Sequence, residues 1–453
     1  MLTLNEILES TKGNIIKGEE EFNGFKSLCT DTRKIEKDSI FVALKGENFN
    51  GNKFVNDALK KGSTVAIIDE EEYLDKNLEG TIIKVEDTKM ALLNLAKKYR
   101  QKLGIKVIGV TGSTGKTSTK DIVAALLSEK YKVFKTKGNF NNEIGLPLMI
   151  FSMDKSYDIA ILEMGMSNSL EIHRLAESAT PDIALITNVG ISHIENLKTR
   201  ENILKAKMEI TDFFNKENVL ILNNDNDMLK TVENKDYKII RTSIEDRCDI
   251  SATDIKLTEG DSTFKIEFNN KIKEFKMPLP GKHNIQNCLL GIGAALELGL
   301  SIEEMERGLK NLEATSMRLE VIKKDNLTLV NDCYNASPDS IKSSIETLKN
   351  IDGKRKVAIL GTMRELGNHS YEAHKEVGVF AKENGIELLL VTGEYSDGYI
   401  DGFYGENSIN YKTKEELIND LSNKLRKQDV VLVKASRGMK FEDISNKILE
   451  IKL

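Results

Sequence analysis

The sequence predicts an α/β protein of three domains around a central nucleotide-binding segment, and three observations support this prediction. Short apolar runs alternate with helix-like segments along the whole chain. A glycine-rich turn that ends in Gly-Lys-Thr directly follows one of these runs. At 453 residues, the chain is also too long for one ordinary hydrophobic core.

The composition is that of a soluble globular protein and argues against several other classes. Apolar residues make up 40% and charged residues 30% of the chain, and the net charge of −6 gives no reason to expect a nucleic-acid partner. The first residues lack the apolar run of a signal peptide, and no window approaches a membrane span. The four cysteines are too far apart to indicate a zinc site or a disulfide framework. We therefore expect a protein of the reducing cytoplasm.

Residues 1–103 are expected to form a small α/β domain. Residues 40–44 and 65–68 have the character of buried strands, and residues 54–61 and 90–103 that of helices. Polar loops precede and follow the first of these strands, and by themselves both are best explained as surface turns.

A phosphate-binding loop is predicted within residues 106–121. An apolar strand turns there through Gly112 and Gly115 into a helix. Glycines at these places let backbone N–H groups approach an anion, and the helix adds the positive end of its dipole. A strict phosphate-loop pattern has glycine where this chain has Val110, so the loop is a variant.

Lys116 and Thr117, at the start of that helix, complete the predicted nucleotide site. The lysine supplies a positive charge for phosphate groups, and the threonine is placed to offer its hydroxyl to magnesium. An ordinary glycine-rich turn is the alternative, but Gly-Lys-Thr directly after an apolar strand favours nucleotide binding.

Two further strands of the central region end close to side chains suited to a metal. Glu163 ends the apolar run at residues 157–163, and His193 follows the run at residues 182–188. Ligands of open α/β sheets bind at the carboxyl ends of the strands, and a carboxylate there is placed to hold magnesium. His193 is a candidate ligand, although a solvated loop histidine is the commoner case.

Lys207 falls on the apolar stripe of a predicted helix at residues 201–215. The stripe includes Ile203 and Ile210, whereas Lys205 points to the other side. A lysine on a buried face needs a charged partner or a modification. The alternative is a lysine that reaches solvent from the edge of the stripe.

Two amide-rich stretches of the central region are candidate recognition sites. Residues 136–145 contain three asparagines and two glycines, and residues 280–287 lead with polar amides into an apolar helix. Turn formation and ligand recognition explain the first stretch equally well, and helix capping would explain the second. Between them, residues 240–276 alternate between apolar and polar side chains, as β-strands do, and this pattern predicts a hairpin insert.

A third α/β unit is predicted beyond a boundary near residues 313–315. Its strands are expected at residues 327–331, 356–360, 388–392 and 430–434. Polar groups follow three of these strands, at residues 332–338, 361–367 and 434–439. Because ligands bind at the carboxyl ends of such strands, these groups are expected to form one site face.

Taken together, these motifs resemble the Mur ligase family, MurF type, over the whole chain. The most specific stretches are residues 109–121, residues 138–147, Asp-Cys-Tyr-Asn-Ala-Ser-Pro at 332–338, and Glu-Leu-Gly-Asn-His-Ser at 365–370 with His374 after it. The resemblance implies a three-domain architecture: a UDP-substrate-binding α/β domain at 1–103, a central P-loop ATPase domain at 104–313, and a C-terminal Rossmann-like domain at 314–453 that binds the incoming dipeptide.

The resemblance also implies roles for individual residues. Catalytic roles fall on Lys116, Lys207, His193 and Glu163, with Thr117 and Glu163 on one magnesium ion, His193 on a second, and Lys207 carbamylated by CO2. ATP would be held by Gly112, Ser113, Thr114, Gly115, Lys116, Thr117, Ser118, Asn284, Asn287, Arg318 and Asp332. Ser27, Asp31, Arg33, Asn139, Asn141, Asn142 and Asn335 would contact the UDP-linked substrate.

The implied activity is ligation of D-alanyl-D-alanine to UDP-N-acetylmuramoyl-tripeptide, driven by ATP through an acyl phosphate, by a cytoplasmic monomer. A sister ligase that adds a single amino acid, or glutamates to folate, is the nearest alternative, and the stretches at 139–142 and 334–338 argue against it. A switch protein that hydrolyses ATP without ligation is the alternative from another class. Whether the third peptide residue is lysine or diaminopimelate is left open.

Five positions depart from the pattern of the family. Asn50 and Asn52 stand where the family usually has aspartate and histidine, Ser169 where it has glycine, Ser337 where it has asparagine, and Thr362 where it has aspartate. They concern the fine contacts of the UDP site and of the C-terminal motifs, and they leave the ATPase core unchanged.

Overall fold

The fold is described from a computed structural model of the chain. It covers residues 1–18, 25–75, 77–234, 236–268, 271–313, 315–324 and 326–452. Asn269 and Asn270 of the predicted hairpin insert, and Ala314 at the predicted second boundary, lie outside the described residues.

The α-helices of the described residues are α1 (Leu4–Thr11), α2 (Val55–Lys60), α3 (Thr88–Leu103), α4 (Lys116–Leu127), α5 (Gly145–Phe151), α6 (Glu171–Ala179), α7 (Ile194–Leu197), α8 (Arg200–Met208), α9 (Lys282–Glu297), α10 (Ile302–Lys310), α11 (Pro338–Leu348), α12 (Ser370–Glu383), α13 (Ser396–Phe403), α14 (Lys414–Lys424) and α15 (Glu442–Glu450).

The β-strands are β1 (Asn14–Lys17), β2 (Ser27–Cys29), β3 (Ser39–Val42), β4 (Lys45–Gly46), β5 (Phe49–Asn50), β6 (Ser63–Ile68), β7 (Thr81–Lys84), β8 (Lys106–Thr111), β9 (Val133–Lys135), β10 (Ile159–Glu163), β11 (Ile183–Ile186), β12 (Val219–Asn223), β13 (Lys238–Ser243), β14 (Ile250–Leu257), β15 (Ser262–Phe268), β16 (Lys271–Met277), β17 (Glu320–Lys324), β18 (Leu327–Asn331), β19 (Arg355–Leu360), β20 (Leu388–Thr392), β21 (Ser408–Tyr411) and β22 (Asp429–Lys434).

Helices and strands alternate along the chain, which confirms the predicted α/β class. The predicted strands of the first and third regions correspond to β3, β6, β18, β19, β20 and β22. Strands such as β3 and β22 are buried along their whole length, which explains why they have continuous apolar runs and no alternation. No helix of the described residues is long and apolar enough to cross a membrane.

Helix α3 ends where the first boundary was predicted. The Asp87 side chain accepts hydrogen bonds from the N–H groups of Lys89 and Met90 and so caps the start of the helix. Gly104, at the other end, has a φ of 67°, a left-handed conformation that favours glycine. The change of element near residue 104 therefore has a local cause in the sequence.

The chain forms two compact units. One contains Met1–Thr111, Tyr131–Ala184 and Met208–Val219, and the other contains Gly112–Lys130, Leu185–Lys207 and Leu220–Leu453. The predicted phosphate loop, from Gly112 onward, and helix α4 belong to the second unit.

The first unit contains a five-stranded sheet and part of a second sheet. The five-stranded sheet has the order β1-β7-β6-β3-β2, with β1 antiparallel to β7 and the other pairs parallel. Phe41, Ala66 and Ile82 are among the residues that form its core with α2. Strands β8 and β9 pair with β10 on either side, both in parallel.

The second unit contains the predicted hairpin insert and the third α/β region. Strands β14, β15 and β16 pair antiparallel, with Phe264 opposite Phe275, which confirms the hairpin. The third region forms a six-stranded sheet in the order β17-β18-β22-β19-β20-β21, in which only the β17–β18 pair is antiparallel. Its parallel strands bring the polar groups after β18, β19 and β22 to one edge of the sheet.

Asp429, at the start of β22, holds a nearly buried ion pair at the opposite edge of that sheet. Its side chain is 1% exposed, and that of its partner Arg355 is 16% exposed. The guanidinium donates to both carboxylate oxygens, at 3.0 and 2.7 Å, and the N–H of Arg426 donates to the same carboxylate at 2.7 Å. The charge of Arg355 is therefore balanced almost entirely by this one side chain.

We expect Asp429→Ala to destabilise the protein strongly, because it leaves the guanidinium of Arg355 without its counter-charge in a mostly buried place. Removal of one partner of a buried ion pair costs about 3–5 kcal/mol. The urea midpoint, followed by circular dichroism, measures the effect. In the matched control, Asp254→Ala removes the exposed partner of Lys265 and should cost less than about 1 kcal/mol. Equal midpoints for the two variants would contradict the prediction.

Candidate nucleotide and metal site

The phosphate loop has the open backbone that the sequence predicts. Gly112 has a φ of 149° and Gly115 a φ of 79°. A Cβ atom at position 112 would overlap the hydroxyl of Thr187, so only glycine fits there. Gly115 forms the N-cap of α4 without a side-chain cap, which leaves the first N–H groups of that helix for an anion.

Asn188 braces this loop, and the sequence analysis did not single it out. Its backbone carbonyl accepts from the N–H of Ser113 at 2.9 Å, and its Oδ1 accepts from the N–H of Thr114 at 3.0 Å. Its Nδ2 donates to Oγ1 of Thr114 at 2.8 Å, and the N–H of Gly190 donates to Oγ of Ser113 at 2.9 Å. The signal in the sequence that could have identified Asn188 was an amide side chain two residues after the end of β11.

Two cations contact the loop and the helix after it. Nζ of Lys116 donates to the carbonyl of Gly112 at 2.8 Å, so the lysine folds back over the loop. Nη2 of Arg318 donates to Oγ1 of Thr117 at 2.9 Å, and its guanidinium carbon lies 4.2 Å from the centre of the Tyr334 ring. Lys116, Thr117 and Arg318 thus lie close together at the start of α4.

Lys207 is buried on α8, as its position on the apolar stripe predicted. It is 1% exposed, and Ile203 and Ala206 are buried on the same helix, whereas Lys205 is exposed. Burial lowers the pKa of Lys207 well below its ordinary value, and the positive charge of Lys116 lowers it further. Within the described part of the chain, Lys207 has no carboxylate at ion-pair distance. Burial and the nearby cation of Lys116 therefore both favour the neutral form of this amine.

His193 lies at the start of the short helix α7 and contacts Glu365. Its Nδ1 is 2.7 Å from Oε2 of that glutamate. The contact with His193 lowers the pKa of Glu365. His193 adopts a φ of 65°, which places its ring at the turn between the end of β11 and α7.

Glu163 is a buried carboxylate at the end of β10, in the first unit. It is 3% exposed, its N–H donates to Oγ1 of Thr136 at 3.0 Å, and Oε1 accepts from Nδ2 of Asn141 at 2.9 Å. The carbonyl of Asn141 accepts from the N–H of Gly165 at 2.8 Å. One asparagine of the amide-rich loop therefore orients the predicted metal ligand.

The other asparagines of that loop have different surroundings. Oδ1 of Asn142 accepts from the N–H of Gly145 at 2.8 Å, which is a turn-forming contact. The backbone carbonyl of Asn139 accepts from the N–H of Asn141 at 2.8 Å, and the side chain of Asn139 is exposed. Turn formation accounts for Asn142, while Asn139 is open to a ligand.

The predicted uridine-site residues lie at and just after β2, in the first unit. Ser27 belongs to this strand, and Oδ2 of Asp31 lies 2.7 Å from Nη2 of Arg33. Hydrogen bonds from the Arg33 side chain and backbone hold the pKa of Asp31 below its ordinary value.

Asn50 and Asn52 are two of the positions that depart from the family pattern. The side-chain oxygen of Asn50 accepts a hydrogen bond from the N–H of Asn52 at 3.0 Å. The buried amide of Asn52 also contacts Asp69.

Asn284 and Asn287, two of the predicted ATP contacts, lie on helix α9 and have different surroundings. The side chain of Asn287 is buried and lies against Gly115 of the phosphate loop. Nδ2 of Asn284 donates to the carbonyl of Pro280 at 2.7 Å, so this amide is used in the turn that precedes the helix. Ser118 lies on α4 and is half-buried.

Asp332 and Lys434 form a buried ion pair at the ends of β18 and β22. Nζ of Lys434 lies 2.5 Å from Oδ2 of Asp332 and also donates to the carbonyl of Asn335 at 3.0 Å. The other oxygen of Asp332 accepts from the N–H of Leu319 at 3.1 Å. Leu319 follows Arg318, so Asp332 fixes the backbone that carries this arginine to Thr117. The sequence analysis named the stretch that begins with Lys434 but gave that lysine no role.

We expect Asn188→Ala to weaken nucleotide binding by about tenfold, because the N–H of Thr114 loses its acceptor and Oγ1 of Thr114 loses a donor, and both contacts fix the loop; each lost hydrogen bond costs about 1 kcal/mol. Calorimetric titration with ADP measures the affinity, and circular dichroism verifies the fold. Asn234→Ala, at an exposed position away from the loop, serves as the control. Wild-type affinity in Asn188→Ala would show that the loop holds its shape without this brace.

Comparisons with known proteins cover nearly the whole chain. Three family models match: "Mur ligase family, catalytic domain" at residues 25–111, "Mur ligase middle domain" at residues 110–295, and "Mur ligase, glutamate ligase domain" at residues 317–437. The chain is 38% identical to the UDP-N-acetylmuramoyl-tripeptide--D-alanyl-D-alanine ligase of Bacillus subtilis, over 99% of this chain and 98% of that protein.

Two solved structures of similar proteins agree with this result. A crystal structure of MurF from Acinetobacter baumannii superposes with a TM-score of 0.90 at 28% identity and 99% coverage of both chains. The MurF ligase of Thermotoga maritima in complex with ADP gives a TM-score of 0.84 at 30% identity, covering 94% of this chain and 97% of that one. The predicted three-domain architecture, with a central P-loop ATPase domain and a C-terminal Rossmann-like domain, is confirmed. The chain belongs to the Mur ligase family and, within it, to the ATP-dependent ligases of the MurF type.

Proposed function

We propose that this protein joins D-alanyl-D-alanine to the peptide carboxylate of UDP-N-acetylmuramoyl-tripeptide and cleaves ATP to ADP and phosphate. The observation that carries the proposal is the match to ligases of that name over the whole chain, including the C-terminal domain that would bind the incoming dipeptide. The domains proposed are residues 1–103 for the UDP-linked substrate, 104–313 for ATP, and 314–453 for the dipeptide. The site of action proposed is the cytoplasm, and the protein is proposed to act as a monomer.

The reaction has two steps. A carboxylate oxygen of the tripeptide attacks the γ-phosphorus of ATP, and ADP leaves, which gives an acyl phosphate. The free amine of D-alanyl-D-alanine then attacks the acyl carbon, loses a proton, and displaces phosphate through a tetrahedral intermediate. The first step concentrates negative charge on the transferring phosphoryl group, so the site must supply positive charge and exclude water.

The phosphate loop supplies that charge in the proposal. The N–H groups held by Asn188 and the start of α4 would bind the phosphates, and Lys116 would swing from the Gly112 carbonyl onto them. The ATP contacts proposed are Gly112, Ser113, Thr114, Gly115, Lys116, Thr117, Ser118, Asn284, Asn287, Arg318 and Asp332. The substrate contacts proposed are Ser27, Asp31, Arg33, Asn139, Asn141, Asn142 and Asn335.

Two of the three proposed metal ligands, Thr117 and Glu163, have oxygen donors of the kind that suits magnesium, and the third, His193, has a nitrogen donor. Thr117 offers a hydroxyl oxygen, Glu163 a buried carboxylate, and His193 an imidazole nitrogen. Among the described residues, no group of three or more histidine, cysteine, aspartate or glutamate side chains is arranged to hold a metal ion. Magnesium needs no such group, because it keeps several waters and binds one or two carboxylates plus substrate phosphates. Bound there, magnesium would offset charge on the phosphates.

Lys207 is proposed to be carbamylated. A neutral amine attacks CO2 and releases a proton, which leaves an anionic carbamate. Burial lowers the pKa of Lys207 and so favours the neutral amine, and Lys116 supplies a positive charge nearby. The modification would therefore place an anion beside the cation of Lys116 and an oxygen ligand near the nucleotide.

Phosphate release from ATP with UDP-N-acetylmuramoyl-tripeptide present, measured with and without D-alanyl-D-alanine, tests the function. We expect release that requires both substrates and a pentapeptide product by mass spectrometry. Release that responds to a single amino acid or a folate would move the function to a sister ligase. Full release with no acceptor would indicate an ATPase switch.

We expect Lys207→Ala to lower turnover by about 10²–10³-fold, the typical cost of a lost electrostatic group in an active site. Acetate or propionate added to the buffer should restore part of the activity, because a small carboxylate can occupy the space of the carbamate. Lys205→Ala, on the exposed side of the same helix, is the control and should keep wild-type turnover. A mass spectrum of the intact protein without the mass of CO2, together with no rescue by acids, would contradict carbamylation.

We expect Glu163→Gln to raise the magnesium concentration needed for half-maximal activity by about tenfold or more, because it removes the charge and keeps the shape. The amide oxygen can still accept from Asn141, so the fold should persist. A magnesium titration of phosphate release measures the change, with the exposed Glu217→Ala as control. An unchanged titration would remove Glu163 from the metal site.

A further inference from the structure

A carboxylate of the C-terminal domain contacts the proposed histidine ligand of the central domain. Oε2 of Glu365 lies 2.7 Å from Nδ1 of His193, and the backbone carbonyl of Glu365 accepts from the N–H of Glu195 at 3.3 Å. Nδ1 is buried, and the described residues give it no other partner. The two atoms are within hydrogen-bonding distance, but their alignment falls short of a hydrogen bond.

The loop that carries Glu365 is fixed within its own domain. The N–H of Met363 donates to Nε2 of the buried His374 at 3.0 Å, and the N–H of Arg364 donates to Oγ of Ser436 at 3.0 Å. Nδ1 of His374 lies 2.6 Å from the carbonyl of Ser370, so His374 bridges the loop and α12. The position of the Glu365 backbone is therefore set by the strand-end contacts of this domain.

Both partners of the contact have unfavourable backbone conformations. Glu365 has a φ of 67° and His193 a φ of 65°, values that side chains other than glycine seldom adopt. The glutamate side chain is 53% exposed, and a polar contact with that exposure adds little to stability. Residues with such conformations occur often at functional sites, and this agrees with a functional role for the pair.

We propose that Glu365 is a positioning residue that holds His193 as its Nδ1–H tautomer and so keeps Nε2 free to bind the metal ion. This inference rests on the proposed function, since it assumes that His193 is a ligand. A metal-binding histidine commonly donates its other ring N–H to a carboxylate, which fixes the orientation of the ring and raises the basicity of the ligating nitrogen. Because Glu365 lies in the C-terminal domain, the second metal site is complete only when that domain contributes this side chain.

The tautomer provides the first test. In the full-length protein with ¹⁵N-labelled histidine, a long-range ¹H–¹⁵N spectrum reports which ring nitrogen of His193 carries the proton, and the spectrum of His193→Gln assigns the signals. We expect a protonated Nδ1 and an unprotonated Nε2 in the wild type, and a mixture of tautomers in Glu365→Ala. A wild-type His193 with its proton on Nε2 would overturn the proposal without any variant.

Metal affinity provides the second test. Binding of Mn²⁺ to the full-length protein with a non-hydrolysable ATP analogue is measured by electron paramagnetic resonance. Loss of an outer-shell partner typically weakens metal binding by about 10–100-fold, and we expect this loss for one of the two ions in Glu365→Ala. Glu365→Gln should lie closer to the wild type, because its amide oxygen can still accept from Nδ1.

Glu372→Ala is the matched control, since it removes an exposed glutamate from the same domain at the start of α12. Unchanged or tighter Mn²⁺ binding in Glu365→Ala would overturn the proposal, and tighter binding would show that the glutamate competes with the metal. Neither readout requires ligation. A protein that binds Mn²⁺ as expected but forms no pentapeptide would therefore refute the proposed function and leave the role of Glu365 standing.

Discussion

The site depends on one constraint: the phosphate loop must keep a row of backbone N–H groups in place before any nucleotide arrives. Gly112 lets the loop pass so close to Thr187 that no side chain would fit at this position. Asn188 then holds the loop in place, because its carbonyl accepts from Ser113 and its side chain bonds Thr114. A loop held in this way binds an anion without first losing conformational freedom, which is the advantage of preorganisation.

Charge balance around the loop explains the unusual state of Lys207. Lys116 and Arg318 already place two cations at the start of α4, and a third charge in a buried place would be costly. Burial and the positive charge of Lys116 lower the pKa of Lys207, which favours a neutral, nucleophilic amine. The same environment would favour an anion at that amine, so burial, pKa and the proposed carbamate have one physical cause.

The C-terminal domain reaches the site through the ends of its parallel strands. The buried pair of Asp332 and Lys434 fixes the backbone after β18, and His374 and Ser436 fix the loop after β19. Thr362 and Ser337, two of the residues that depart from the family pattern, form hydrogen bonds with neighbours in this domain. Oγ1 of Thr362 donates to the carbonyl of Glu394 at 3.0 Å, and Ser337 contacts Ser340 in the first turn of α11. Both residues are therefore held by hydrogen bonds within this domain.

The sequence by itself determined the alternation of strands and helices, the phosphate loop and the burial of Lys207, because each depends on residue types a few positions apart. Only the tertiary structure decided that Asn188 braces the loop, that Asn141 orients Glu163 and that Lys434 pairs with Asp332. The tertiary structure alone also decided that Glu365 contacts His193. These partners lie 22 to 172 positions apart in the chain. Such contacts depend on which strand ends the sheet order brings together, and periodicity and spacing in a single sequence do not encode that order.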